Sequence, residues 1–246
     1  MSEALYLHDA YLRESTGRVE ASRPGEVVLD RTVFYPTGGG QPSDVGRLVS
    51  DDGRVYPVVA VEKSPEGILH RIEGEAPPVG SVVREELDWP VRYRHMRYHT
   101  CLHILSGVVY RRFRAGITGG QIYEDRARMD LSLPEFNATV AGEVVEAMNE
   151  VVREGRPIHV RFLSREAAGA DPALIRVARE LLPDVSQIRV IDIEGFDVQA
   201  DGGTHVASTA EVGEIRLLKI ENKGARNKRL YLTLDPVPPE PVPAPP

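Results

Sequence analysis

A single cysteine, Cys101, is all the thiol chemistry this 246-residue chain carries. That excludes an internal disulfide framework and fits a reducing compartment, so a cytoplasmic location is expected. No apolar run exceeds a few residues, so no transmembrane helix and no membrane partner are expected. The opening segment, Met1 to Glu14, lacks a basic stretch followed by an apolar one, and is not read as a secretory signal. A basic surplus is missing too. With 37 acidic residues against 30 basic ones, the net charge of −7 argues against a general nucleic-acid binder, although local basic patches remain. What is present is a globular balance of 41% hydrophobic and 27% charged residues. The length suffices for one large domain or two modest ones with cores of their own.

The first 88 residues read as β-rich, with strands expected at Ala4–Leu12, Glu26–Phe34, Val55–Glu62, Gly67–Ile72 and Val82–Asp88, separated by Gly/Pro/Asp turn signals. Several short strands at close spacing point to a small barrel or sandwich. After Trp89-Pro90 the pattern changes. Tyr98, Cys101, Leu102, Leu105, Val108 and Val109 form one apolar stripe at helical spacing within Arg92–Arg114, ended by Gly116 and Gly119-Gly120. A strand is expected at Ala127–Leu133, then a helix over Pro134–Arg153 capped near Ser132, and a strand at Pro157–Phe162. Helical stretches follow at Ser164–Gly169 and Pro172–Leu181, then strands at Gln187–Ile193, Phe196–Asp201, Glu214–Asn222 and Leu230–Leu234. This makes the second half α+β with a mostly antiparallel sheet. The expected domains are therefore 1–88 and 89–235. The alternate prolines of 236–246 predict a solvated, polyproline-like tail.

Three segments carry chemistry. His99-Thr100-Cys101-Leu102-His103 places two imidazoles one helical turn apart, a spacing that offers two ligands to one metal and also occurs in plain surface histidine pairs. The zinc-protease reading fails, because the glutamate such enzymes carry after the first histidine is Thr100 here. In Asp197-Val198-Gln199-Ala200-Asp201-Gly202-Gly203-Thr204-His205, the two glycines permit a turn that folds His205 back toward Asp201. An ordinary Asp-Gly-Gly hairpin is the alternative. Taken together, the pairs make a four-ligand centre of His99, His103, Asp201 and His205, suited to Zn²⁺ or another first-row divalent ion. The third segment, Phe34 to Asp44, contains three consecutive glycines flanked by Thr37 and Gln41, which supply hydrogen-bonding groups. No Gly-Lys-Ser/Thr follows, so it is not a phosphate loop.

FYPTGGGQPSDVG, MRYHTCLHILSG and DVQADGGTHV, in that order, resemble the editing domain of alanyl-tRNA synthetase and above all its freestanding relatives, the AlaX proteins of medium length. The resemblance spans about residues 1–235. It implies a small β-barrel joined to a two-layer α+β editing domain. It also implies hydrolysis in trans of mischarged Ser-tRNA(Ala), with Gly-tRNA(Ala) as a further substrate, and one Zn²⁺ per chain. The family's histidine ligands map onto His99, His103 and His205, whereas the family's cysteine is Asp201 here, a harder donor than a thiolate. On this reading Thr37 and Gln41 are the candidates for recognising the serine hydroxyl or holding the reactive water, and Asp197 is the carboxylate weighed as a base. The tRNA partner calls for phosphate contacts, expected at Lys223, Arg226, Lys228 and Arg229, with the arginines at 92, 94, 97, 111, 112 and 114 as a second cluster. No obligate protein partner is expected. The competing readings are a metal-dependent hydrolase of a small ester, a non-catalytic tRNA- or metal-binding module, and editing of a different mischarged tRNA.

Overall fold

A computed structural model describes residues 2–133, 136–170, 174, 187–224 and 227–235. The chain divides into two compact units, Met1–His95 and the remainder from Met96.

The first unit is a closed barrel of six antiparallel strands. They are β2 (Glu14–Arg23), β3 (Glu26–Leu29), β5 (Gly46–Ser50), β6 (Val55–Ser64), β7 (Gly67–Ile72) and β8 (Val82–Leu87), in the order β2-β3-β7-β6-β5-β8. Closure pairs β8 back onto β2 and leaves no strand edge unpaired in the ring. Alternation along β6 turns Tyr56 and Val58 inward and Val55 and Val59 outward. Inward-facing Val19, Leu29, Phe34, Leu48, Val61 and Val83 build the core.

One expected strand fails here, and Glu14–Arg23 and Gly46–Ser50 form where none was expected. Ala4–Leu12 is not a strand. Glu3–Ala4 (β1) pairs in parallel with Arg31–Thr32 (β4), and Leu5–Leu7 then turns once as a 3-10 helix. Its apolar residues pack on the barrel core as a plug, so they follow no period-2 pattern. The strand forms instead over Glu14–Arg23, whose most buried positions are only Gly17 and Val19, too thin an apolar face to register as alternation.

The helix α1 (Trp89–Phe113) begins at Asp88, whose carboxylate accepts the Val91 N–H at 3.2 Å. Pro90 lies in the first turn, where no N–H is needed. In the second unit, β9 (Ile117–Ile122), β10 (Ala127–Leu131), β14 (Glu214–Asn222) and β15 (Lys228–Asp235) form an antiparallel sheet in the order β14-β15-β10-β9. Strand β9 contains Gly119 and Gly120, two of the three glycines read as helix terminators, and β10 pairs along it from Ile117 to Ile122; Gly116 lies just before the strand. The helix α2 (Ala138–Glu154) starts at Asn137, whose side chain accepts from Val140 N, not at Ser132, and ends at Gly155 with φ 63°. Its buried stripe is Ala141, Val144, Met148, Val151 and Val152. Asn149 ties it to β14 by donating to Ile215 O and accepting from Ile215 N, both at 2.9 Å.

A second antiparallel sheet, β11-β12-β13, comprises Ile158–Ser164, Gln187–Ile193 and Asp197–Ala200, with α3 (Arg165–Ala170) after β11. The α+β class with an N-terminal barrel is as expected. The helix expected over Pro172–Leu181 and the tail 236–246 lie outside the described residues, apart from Leu174. No helix among the described residues is long and apolar enough to cross a membrane.

Candidate metal centre

Strand β13 reaches the histidine helix because α1 carries glycine where the two meet. A Cβ on Gly107 would sit 2.5 Å from the Phe196 ring and 3.3 Å from Asp197 Cβ, so only glycine admits this approach. Gln199 Nε2 then donates to Ser106 Oγ at 3.1 Å across the same contact. The Gly202-Gly203 turn follows directly and carries Asp201 and His205 to the face of α1 that holds His99 and His103.

The four side chains converge. His99 Nε2 lies 3.6 Å and His103 Nε2 4.0 Å from Asp201 Oδ1, while His205 Nε2 lies 3.1 Å from Asp201 Oδ2. One donor atom from each falls within 4.8 Å of all the others. A tetrahedron with ligand bonds of about 2.0–2.1 Å has edges of about 3.3–3.4 Å, inside the span of these distances. The donor set therefore fits a tetrahedral divalent ion. Cys101, at full burial and with its thiol pushed up by desolvation, is not among the converging donors.

Protonation matches the same task. Burial lowers His103 to about 4 and holds His205 well below its ordinary value, so both are neutral near pH 7. Burial alone would raise Asp201, but the facing histidines and the hydrogen bond from His205 bring it well below the usual carboxylate range. Neutral imidazoles beside an ionised carboxylate are the ligand forms a metal requires.

Two neighbours that sequence pattern does not single out orient these ligands. Thr100 Oγ1 accepts the Val206 N–H at 3.3 Å and lies 3.2 Å from His205 Nδ1. Without an ion, Nε2–H is placed to donate to Asp201 Oδ2; when a metal binds, Nδ1–H donation to the Thr100 hydroxyl would leave the lone pair on Nε2, the nitrogen turned to the cluster. Arg189 is buried and donates through Nη1 to Asp201 O at 2.9 Å and Gly203 O at 2.8 Å. The one signal in sequence was an arginine set between the apolar residues Ile188 and Val190 of β12. Asp197, 3% exposed, accepts from Gln199 Nε2 at 2.5 Å and is thereby tied to the same strand face.

Thr37 and Gln41 belong to the first unit. Gly38 and Gln41 close the glycine-rich turn by exchanging backbone hydrogen bonds at 3.1 and 2.9 Å. Thr37 is exposed, whereas Gln41 is only 1% exposed, so of the two it is Thr37 that presents a side chain to solvent.

The basic residues sort by what they already hold. Lys228 is buried, its ammonium donating to Asn222 Oδ1 at 2.8 Å and Gly224 O at 3.1 Å across the β14–β15 turn. Arg229 is bidentate on Asp130 at 2.6 and 2.8 Å. Lys223 is more exposed and pairs with Glu221 at 2.8 Å. Arg226 lies outside the described residues. In the other cluster, Arg92 and Arg97 are buried and bonded to backbone carbonyls, and Arg111 donates to Gly195 O and Phe196 O, so these three are structural rather than a phosphate-facing row.

Comparison with known proteins adds two family matches. Residues 188–231 match the threonyl and alanyl tRNA synthetase second additional domain, and residues 5–91 match the class II (A) tRNA synthetases. Among individual proteins, the chain is 41% identical to the alanyl-tRNA editing protein AlaX-M of Saccharolobus solfataricus, over 96% of this chain and 100% of the relative. The AlaX-M of Methanosarcina barkeri is 39% identical over 95% and 99%, respectively. The alanine–tRNA ligase of Pyrococcus furiosus is 36% identical over 88% of this chain, which corresponds to 24% of the ligase.

Proposed function

The chain belongs to the family of freestanding alanyl-tRNA editing proteins, and from that premise we propose that it hydrolyses the aminoacyl ester of mischarged tRNA(Ala), releasing serine and, by the same chemistry, glycine. The observation that carries this reading is the convergence of His99, His103, Asp201 and His205 on one buried point. The need for such an enzyme follows from discrimination. A pocket that accepts alanine rejects an added hydroxyl or a missing methyl by only about 1–3 kcal/mol, so a second, hydrolytic site does the rest.

We assign Zn²⁺ to the centre, held by the three imidazole Nε2 atoms and the Asp201 carboxylate. When bound, such an ion supplies Lewis acidity and an anchor for polar groups of the aminoacyl ester. The protein's part is orientation. Thr100 fixes the His205 ring, Arg189 fastens the turn that presents Asp201, and the Ser106–Gln199–Asp197 contacts seat the strand from which that turn springs. Thr37 is the side chain we assign to the serine hydroxyl, because a site that hydrogen-bonds this group leaves its own polar group unpaired when alanine enters. Gln41 then steadies the loop from inside. The tRNA contact is assigned to the end of the β14–β15 hairpin at Lys223, with Lys228 and Arg229 stiffening that hairpin. The working compartment is the cytoplasm, where tRNA is charged.

The test is deacylation of Ser-, Gly- and Ala-tRNA(Ala) by protein of measured metal content. Loss of serine and glycine with alanine spared, stopped by a chelator and restored by Zn²⁺, supports the reading. Turnover that survives complete metal removal would leave the editing function and sink the metal's part in it.

A further inference from the structure

We propose that Arg189 is the positioning residue of this centre, the side chain that fixes the Asp201 turn in place and so sets how tightly and in what geometry a divalent ion is held. The inference rests on reading His99, His103, Asp201 and His205 as a metal site, and it goes beyond that reading by naming what keeps the site in shape.

A carboxylate ligand needs more restraint than an imidazole, because it offers two equivalent oxygens and rotates about its own bond. Here the two oxygens are told apart. Oδ2 accepts the Gly203 N–H at 2.5 Å and lies toward His205, leaving Oδ1 turned to His99 and His103. That arrangement holds only while the backbone from 201 to 203 keeps its course. Two glycines in that turn give it little stiffness of its own.

Arg189 supplies the stiffness. The residue faces Asp201 across the end of the β12–β13 pair, accepting the Asp201 N–H on its carbonyl at 3.2 Å. Its guanidinium folds over the same turn and donates to the carbonyls of Asp201 and Gly203, which bracket Gly202. One side chain thus spans the flexible point. The same guanidinium lies 3.9 Å from Asp201 Oδ2, too far to compete with the Gly203 N–H for it. Arginine suits this better than lysine, since a rigid planar fork holds several acceptors in fixed directions where an ammonium on a flexible stem does not. The side chain is only 6% exposed, so solvent does not offer those carbonyls a substitute.

The experiment compares the wild type with Arg189→Lys and Arg189→Met on the full chain, with Arg161→Ala, an exposed β11 residue paired to Asp192, as control. Co²⁺ and Zn²⁺ affinities are measured by chelator competition, and the visible absorption of the Co²⁺ form reports ligand geometry independently of turnover. Expected for Arg189→Met is a loss of affinity of about 10–100-fold, as for other outer-layer partners of metal ligands, with an altered Co²⁺ spectrum. Arg189→Lys falls between that variant and the wild type, and Arg161→Ala matches the wild type. Unchanged affinity and spectrum in Arg189→Met overturn the proposal. If that variant does not fold, Arg189→Lys decides alone, and wild-type affinity with a wild-type spectrum overturns it. A wild type that binds neither ion overturns the metal reading itself, a result recognisable because all four proteins then behave alike.

Discussion

Arg92 and Asp44 form an ion pair inside the first unit in which neither side chain meets water, with exposures of 0% and 1%. Arg92 Nε lies 3.0 Å from both carboxylate oxygens, Nη1 donates to Ala10 O at 2.8 Å, and Nη2 donates to Val33 O at 2.5 Å and to Asp44. Asp44 in turn accepts the Tyr35 N–H at 2.6 Å, closing the chain around the glycine-rich segment between them. Removing one partner of such a pair leaves a buried charge uncompensated. Arg92→Met or Asp44→Ala is expected to cost about 3–5 kcal/mol, read as a lower urea midpoint of the barrel. Arg92→Lys restores little, because one ammonium cannot reach all four acceptors.

At the metal centre, replacing His99, His103 or His205 by alanine removes one of four donors, and metal content after dialysis is expected to fall below one equivalent. Asp201→Cys acts in the opposite direction for zinc. A thiolate is the softer ligand, so Zn²⁺ should bind at least about tenfold more tightly, roughly 1.4 kcal/mol, while Mn²⁺ binds less well. Competition between the two ions reads this directly. Equal preference in both proteins would show that Asp201 does not touch the ion.

The barrel carries a buried polar chain with its own pH signature. Glu85 accepts from Ser15 Oγ at 2.7 Å and is hydrogen-bonded to Thr32 Oγ1, which lies 2.9 Å from His70 Nε2. Burial pushes Glu85 up to about 7 from 4.5, against hydrogen bonds that pull it down, and lowers His70 to about 4. The folded barrel binds the Glu85 proton more tightly than the unfolded chain, so this group's stabilisation is complete below pH 4.5 and is lost as pH rises through 7. Neutral His70 works the other way, losing stability as pH falls from 6.5 toward 4. Glu85→Gln isolates the first effect, since the amide oxygen can still accept from Thr32 Oγ1 and the Val33 N–H while its NH2 donates to the Ser15 hydroxyl. Its stability relative to the wild type is expected to climb by about 3 kcal/mol between pH 4.5 and 8. A flat difference across a denaturation series at those pH values would exclude the raised pKa.

For the hairpin, Lys223→Ala and Lys228→Ala should part ways. Lys223→Ala is expected to weaken tRNA binding several-fold and lower the salt slope by about one, with the melting temperature unchanged. Lys228→Ala, which strips Asn222 and Gly224 of a buried donor, is expected to cost about 1–3 kcal/mol of stability. A salt titration beside a thermal melt separates the two.

How far the chain could be read before folding depended on distance along it. The i, i+4 spacing of His99 and His103 and the Gly-Gly link from Asp201 to His205 are local, and backbone geometry alone turns each pair to one side. The strands at Gly67–Ile72, Gln187–Ile193 and Glu214–Asn222 were legible for the same reason, as were the β-rich first part and the helix after Trp89. Glu14–Arg23 was not, because glycine occupies one of its inward positions, and neither was Ile117–Ile122, where paired glycines mimic a helix stop.

By itself, then, the sequence determined which residues could serve as ligands and that each pair would point one way. Only the tertiary structure decided that the two pairs share a point, that Oδ1 rather than Oδ2 of Asp201 faces His99 and His103, and that Thr100 and Arg189 hold the set. It also turned Arg92, Arg97, Lys228 and Arg229 from solvent-facing charges into braces. The physical reason is that side-chain chemistry and local spacing are written residue by residue, whereas convergence across about 100 residues depends on Gly107 letting a strand lie against a helix, and no short window of sequence contains both.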